Sequence, residues 1–157
     1  MEKRDLSPGD YQALAEFRYQ IRRFLHFSES AVRSEGINPQ HHQLLLAIKG
    51  IPGTLDPTIS RLAERLHLRH HSAVELANRL TARGLIRKRQ DKHDRRRVLL
   101  EITSRGERVL RNLSLVHRAQ LESVGSDLIQ ALEKLLKDNK GRNEESRSGK
   151  SHIKRTR

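Results

Sequence analysis

His70, His71, Ser72, Glu75, Asn78 and Arg79 fall within a short stretch that reads as one helix over about 70–83. Side chains advance by about 100° per residue on a helix, so Ala73, Leu76, Ala77 and Leu80 face inward while His71, Glu75 and Asn78 point outward. Ser72, Val74 and Arg79 take the flanks. Short polar and forked side chains of this kind suit base edges in the major groove of B-form DNA, which admits a single helix. His70 and His71 stand at the N-terminus, where backbone amides face outward and an imidazole can bond phosphate or a guanine edge. Glu75 argues the other way, because a carboxylate among phosphates is unfavourable unless it accepts from cytosine or orients an arginine. Arg79, one turn later, is its natural partner. A solvated face of a helical bundle is the plain alternative.

The second chemical group is the charged loop Asp91-Lys92-His93-Asp94-Arg95-Arg96-Arg97 between two expected strands, Ile86 to Gln90 and Arg97 to Ile102. Seven residues are too many for a tight hairpin, and the extra length lets the turn project as a wing. A guanidinium on such a tip can enter a narrow A·T minor groove, where negative potential is focused, without reading individual bases. Arg87, Lys88 and Arg89 on the first strand would hold flanking phosphates. The plain alternative is a charged hairpin tip carrying surface ion pairs, each worth little.

These groups need elements to hold them. Ser7-Pro8-Gly9-Asp10 can start a helix with Leu14, Phe17, Ile21, Phe24, Leu25 and Ser28 on one face, ending near Gly36. Asn38-Pro39 restarts a second helix carrying Leu44, Leu45, Leu46 and Ile48, with Asn as cap and Pro at the first position. Gly50 to Pro57 is a loop, then Ile59, Leu62, Ala63 and Leu66 form a short third helix and Leu68 opens the turn into the fourth. Gly84 stops that one. After the strands, Thr103 or Ser104 caps a helix with Glu107 as a capping-box partner of Ser104, and Val109, Leu113, Val116, Gln120 and Val124 form its stripe. A final helix holds Leu128, Ile129, Leu132, Leu135 and Leu136. From Lys140 the apolar pattern collapses to a single Ile153, so 139–157 reads as a basic tail, disordered on its own. The expected fold is mainly α with a small β-hairpin wing: a winged helix-turn-helix over 10–138, with N- and C-terminal dimerisation helices.

Charge is concentrated in the same places. Residues 61–97 hold twelve Lys/Arg against four Asp/Glu and 140–157 seven against two, and these excesses of +8 and +5 account for the whole formal charge of +13. Charge this localised suits a phosphate footprint better than general solubility. The absence of cysteine excludes disulfides and thiolate metal sites. No apolar run reaches the ~18 residues that span a bilayer, and no signal-like core follows Met1, so the expectation is a cytoplasmic chain without a membrane partner. No nucleophile–base pair, glycine-rich phosphate loop or paired carboxylates point to an enzyme, so no catalytic residue and no cofactor are expected.

Nine histidines raise the question of a metal. Adjacent histidines on a helix diverge, and no helical His-x-x-x-His pair is present, so His41-His42 and the set His67, His70 and His71 lack ligand spacing. Ligands would have to come from separate helices, with His26, His41, His42 and His117 as candidates beside Glu29 or Glu35. Solvated or capping histidines are the competing interpretation, and no metal is expected.

Leu62-Ala63-Glu64-Arg65-Leu66, His70 to Val74, Arg79-Leu80, Arg83-Gly84-Leu85-Ile86, Asp94 to Val98 and Ile102-Thr103-Ser104-Arg105-Gly106 together resemble the MarR family of bacterial transcription regulators. The resemblance covers roughly 10–138 and leaves the tail outside. It implies a winged helix whose first, fifth and sixth helices intertwine with those of a second subunit, and ligand-modulated promoter binding. It also implies that Arg96 enters the minor groove while Asp94 fixes the loop. The resemblance implies, too, that Arg22, His26, His41, His42 and His117 lie near the crevice where family members bind small anions. Arg69 departs from the family's small capping residue, and Lys92-His93 from its frequent Pro-Arg.

The resulting expectation is a homodimeric repressor on a palindromic double-stranded operator, modulated by a small effector. The DNA contacts would come from His70, His71, Ser72, Glu75, Asn78, Arg79, Arg87, Lys88, Arg89, Asp94, Arg95, Arg96 and Arg97. The alternatives are a non-specific basic nucleic-acid-binding or architectural protein, and a His-based metal-sensing repressor.

Overall fold

The computed structural model describes residues 6–92 and 94–148, the stretch 137–148 by backbone alone. The chain divides into two compact units, one formed by 27–118 and the other by the described parts of 1–26 and 119–157. The element order is α1 (Pro8–Ser34), α2 (Pro39–Lys49), α3 (Ile59–Arg65), α4 (His70–Ala82), β1 (Ile86–Gln90), β2 (Val98–Ile102) and α5 (Ser104–Ser148).

The unit 27–118 contains the winged helix. Its core joins Leu44, Leu45 and Ile48 of α2, Leu62 of α3, Leu76, Ala77 and Leu80 of α4, Leu85, Ile86 and Leu100 of the hairpin, and Leu110 of α5. Burying each large side chain here stabilises the fold by about 1.5–3 kcal/mol, which explains how so polar a chain keeps a defined body. Local signals set the boundaries. Gly36 takes φ 69° past the end of α1, and Ile37 N donates to Val32 O at 3.2 Å, closing the helix with a left-handed residue. Asn38 Oδ1 accepts from Gln40 N at 2.9 Å, ahead of Pro39. The antiparallel strands pair Ile86 with Ile102, Lys88 with Leu100 and Gln90 with Val98. Leu100 N also donates to Pro57 O at 3.0 Å, so the loop before α3 borders the second strand.

The start of α5 differs from the expected capping box. Thr103 is the cap, its Oγ1 accepting from Gly106 N at 3.2 Å and lying 2.7 Å from Gly84 O as donor. With the cap one residue earlier, Glu107 has no capping role and its Oε1 instead meets Lys49 Nζ at 2.6 Å. Gly106 is fixed by space: a Cβ there would stand 2.1 Å from Leu85 O and 2.8 Å from Ile102 Cγ2.

In the other unit, Ala13 and Gln20 on α1 and Val124 and Ala131 on α5 are buried. Arg23 meets Asp127 at 3.7 Å, and Gln20 donates to Glu16 at 2.7 Å. The helix at Pro8 begins with a reciprocal cap, Ser7 N donating to Asp10 Oδ2 at 2.7 Å and Asp10 N to Ser7 Oγ at 3.3 Å. Leu14 and Leu25, on the expected apolar face of α1, are exposed, as are Leu115, Val116, Ile129, Leu132 and Leu136. The two C-terminal helices expected from the sequence are one helix of 45 residues. Gly125 lowers helix propensity by about 1 kcal/mol relative to alanine, but no proline lies between 104 and 148 to stop the ladder. For the same reason the backbone stays helical past Lys140 to Ser148. The rest of the expected tail, 149–157, lies outside the described residues, as does His93. Among the described residues no helix is long and apolar enough to cross a membrane.

Candidate nucleic-acid interface

All of the residues expected to contact DNA belong to the unit 27–118. The helix-turn-helix starts at Thr58, whose Oγ1 accepts from Arg61 N at 3.4 Å. After α3 the chain turns at His67, a non-glycine residue at φ 51°. Arg69 takes the N-cap position of α4 with extended backbone but no side-chain cap. The first amides of α4 therefore have no capping oxygen from Arg69, and His70 opens the helix where the sequence placed it. Ala73, Leu76, Ala77 and Leu80 are buried, whereas His70, His71, Glu75, Asn78 and Arg79 are exposed and Ser72 is half-buried. Arg79 lies 3.7 Å from Glu75, the one-turn pair that spacing predicts. Asn78 is engaged as well: Lys88 Nζ from β1 donates to its Oδ1.

The wing is held by a network that divides its arginines into two kinds. Arg97 places Nη2 2.6 Å from Asp56 Oδ2 and Nη1 3.2 Å from Asp91 Oδ2. The hydrogen bond to Asp56 holds the Arg97 guanidinium above the usual range, reinforced by Asp56, Asp91 and Asp94 charges. Arg87 Nε donates to Glu101 Oε2 at 2.8 Å, and Arg89 pairs with the other oxygen of the same carboxylate. These bonds keep Glu101 below the ordinary carboxylate range, Arg89 first. Asp94 fixes the turn, its Oδ1 accepting from Arg96 N at 2.9 Å and its carbonyl from Arg97 N at 2.9 Å. Gln90 Nε2 closes the other side on Arg95 O at 2.7 Å. Arg95 and Arg96 are exposed at the tip, and among the described residues neither makes an ion pair.

His70 and Arg96 line one depression of about 370 Å3 together with Thr58, Ser60 and Arg97, so the start of α4 and the wing tip are neighbours. A second, of about 430 Å3, is lined by Asp56, Arg89, Asp91, Lys92, Arg97 and Leu99. Sequence reasoning missed Asp56 and Glu101. The signal for Asp56 was faint, a turn residue in Asp56-Pro57-Thr58. Glu101 could have been found from the strand register, since it stands opposite Arg87.

The residues expected at an effector site fall in both units, Arg22 and His26 in one and His41, His42 and His117 in the other. His42 and His117 make an edge-to-face ring contact with centroids 4.8 Å apart. His41 Nδ1 and His42 Nε2 are buried without a hydrogen-bond partner among the described residues. Burial, and then the His117 charge, pushes His42 down to about 4. Burial followed by Arg83 and Arg79 lowers His41. Among the described residues no group of three or more His, Cys, Asp or Glu could hold a metal ion.

A sequence model of the MarR family matches residues 35–97. No curated protein matches the chain by sequence. Among solved structures, the chain is similar to AbsC, a MarR family transcriptional regulator from Streptomyces coelicolor, at TM-score 0.69 and 21% identity, over 93% of this chain and 99% of that one. It is similar to the transcriptional regulator Tm0710 from Thermotoga maritima at TM-score 0.57 and 25% identity, over 83% and 93%. A mutant of MepR from S. aureus bound to an oligodeoxyribonucleotide matches at TM-score 0.60 and 17% identity, over 90% and 99%. Residues 35–97 thus match the MarR family model, and the fold of the chain is that of solved MarR family structures.

Proposed function

We propose that this chain regulates transcription by binding double-stranded DNA, with α4 in the major groove and the wing tip at the flanking minor groove. The observation that carries this reading is the neighbourhood of His70 and Arg96 on one depression, which sets the recognition helix beside exposed guanidiniums in a chain of MarR-type fold. Arg95 and Arg96 supply cations to the minor groove, while Ser72, Asn78 and Arg79 face base edges. The functional unit is a homodimer on a palindrome, supported by the exposed apolar residues along α1 and α5. A small effector modulates binding and the output is repression. Buried imidazole atoms of His41 and His42 that lack hydrogen-bond partners support an effector with polar groups.

The test is competition. Selection from randomised duplexes followed by binding with excess unrelated DNA should leave a defined palindromic site occupied. Equal loss of both complexes would instead favour a non-specific architectural protein, the reading that the basic charge of residues 61–97 also suits.

A further inference from the structure

The contact between Asn78 and Lys88 joins α4 to β1 and fixes the direction of one side-chain amide. An ammonium has only donors to offer, so the amide atom turned toward it is the carbonyl oxygen, and the Nδ2 amino group is turned away. Both residues are exposed, and in water such a contact contributes little. Against a base pair, with water excluded, the lysine charge acts at lower dielectric and its preference between partners grows.

Asparagine reads adenine with both ends of its amide, Oδ1 accepting from N6 and Nδ2 donating to N7. Here one of the two Oδ1 lone pairs already accepts from a cation, and the ammonium charge beside the other disfavours the approach of a further donor. The pair therefore presents donors to the groove, the two N–H of Nδ2 beside the remaining N–H groups of Nζ. Adenine would bring its own N6 donor against that charge. Guanine brings two acceptors, N7 and O6.

We propose that Lys88 is a specificity-determining positioning residue: by holding Asn78 Oδ1 it biases Asn78 toward donating, so that the pair selects guanine where an unrestrained asparagine would select adenine. This departs from the expectation that Lys88 is a phosphate clamp, and it rests on the DNA-reading function proposed above.

Randomised-site selection on the full chain tests it with three proteins: wild type, Asn78→Ala and Lys88→Met, the last keeping the aliphatic stem without the ammonium. Asn78→Ala identifies the base position that loses preference. Wild type should favour guanine there, and Lys88→Met should raise the adenine-to-guanine ratio at that position about tenfold, leaving other positions unchanged. Loss of a phosphate contact alone would weaken all sequences together and leave that ratio where it was. Wild type selecting adenine there, Lys88→Met retaining guanine, or Asn78→Ala altering no position would each overturn the proposal. A defined motif with an unchanged Lys88→Met profile removes this inference alone, whereas a wild type with no sequence preference removes the DNA-reading function with it. Coincident thermal unfolding of Lys88→Met and wild type excludes misfolding as the cause of either result.

Discussion

Arg97 reaches back from the wing to Asp56, its Nη2 2.6 Å from Oδ2 in the loop that precedes α3. The same guanidinium faces the buried Asp91, so Arg97 ties the base of the wing to the loop ahead of the helix-turn-helix. Sequence reasoning placed Arg97 among the DNA contacts; its geometry is that of an anchor.

An anchor and a charge make opposite predictions for Asp56. If only net charge mattered, Asp56→Ala would remove an acid from a basic region and tighten DNA binding. As the wing's tether, its loss should weaken binding on the order of fivefold, without changing the slope of log affinity against log salt, because no phosphate contact disappears. Filter binding across a salt series decides between them, and tighter binding would remove the anchoring role.

Arg96 and Arg79 should fail in different ways. Arg96→Ala removes a wing-tip cation and should weaken every duplex together, with a shallower salt dependence. Arg79→Ala should relax preference at one or two base positions by ~1 to 3 kcal/mol. Identical selected motifs for Arg79→Ala and wild type would show that Arg79 reads no base.

The His42 ring gives a pH dependence with a definite sign. The folded chain holds it neutral down to about 4, whereas an unfolded chain protonates it near the ordinary 6.5. Above 6.5 the two states bind the same number of protons and His42 costs nothing. As pH falls through 6.5 toward 4 the unfolded state takes up the extra proton, stability declines, and below about 4 the decline stops. His42→Leu should remove on the order of 2 kcal/mol of that acid loss, read as the difference between urea unfolding curves of the two proteins at pH 7.5 and 4.5. A difference that stays constant with pH would show that the buried ring titrates normally.

Gly106→Ala should destabilise the winged helix by about 3 kcal/mol, because the added methyl collides with the Leu85 carbonyl. Chemical unfolding measures it. A loss under 0.5 kcal/mol would mean that the start of α5 shifts freely from the hairpin.

Leu113 and Leu132 separate folding from assembly. Both, with Val116, lie on the C-terminal helices that the family resemblance implies intertwine with a second subunit. Leu113 is 1% exposed within a single chain, packed with Val32 and Ile37, while Val116 and Leu132 stand 44% and 41% exposed. Leu113→Glu should unfold the protein. Leu132→Glu should leave it folded while shifting sedimentation from dimer to monomer and lowering operator affinity. A folded wild-type monomer at micromolar concentration would end the dimer proposal.

Much of the fold was legible because its signals are local. Asn38-Pro39, Gly36 and Gly84 marked helix ends by backbone chemistry, and the inward row Ala73, Leu76, Ala77 and Leu80 set the face of α4. The single α5 was not legible, since Gly125 looks like a stop in a one-dimensional pattern and only the absence of a competing turn lets the helix continue. Leu14 and Val116 mark a different limit: an apolar stripe wider than one chain can cover gives no sign of which edge is buried at home. The site residues were largely visible as types, but their pairings were not. Nothing local connects Arg97 to Asp56, or Lys88 to Asn78.

Glu101 sits between Arg87 and Arg89 with one carboxylate oxygen for each. A phosphate that takes either arginine must first displace an anion already there, so contact at this strand is an exchange of partners. Exchange weakens the grip, but it also shortens the path out: when a phosphate leaves, the guanidinium returns to a carboxylate that never moved away. Under the DNA-binding function proposed above, a surface built in this way would favour brief stays and rapid stepping from one phosphate to the next along a long polymer.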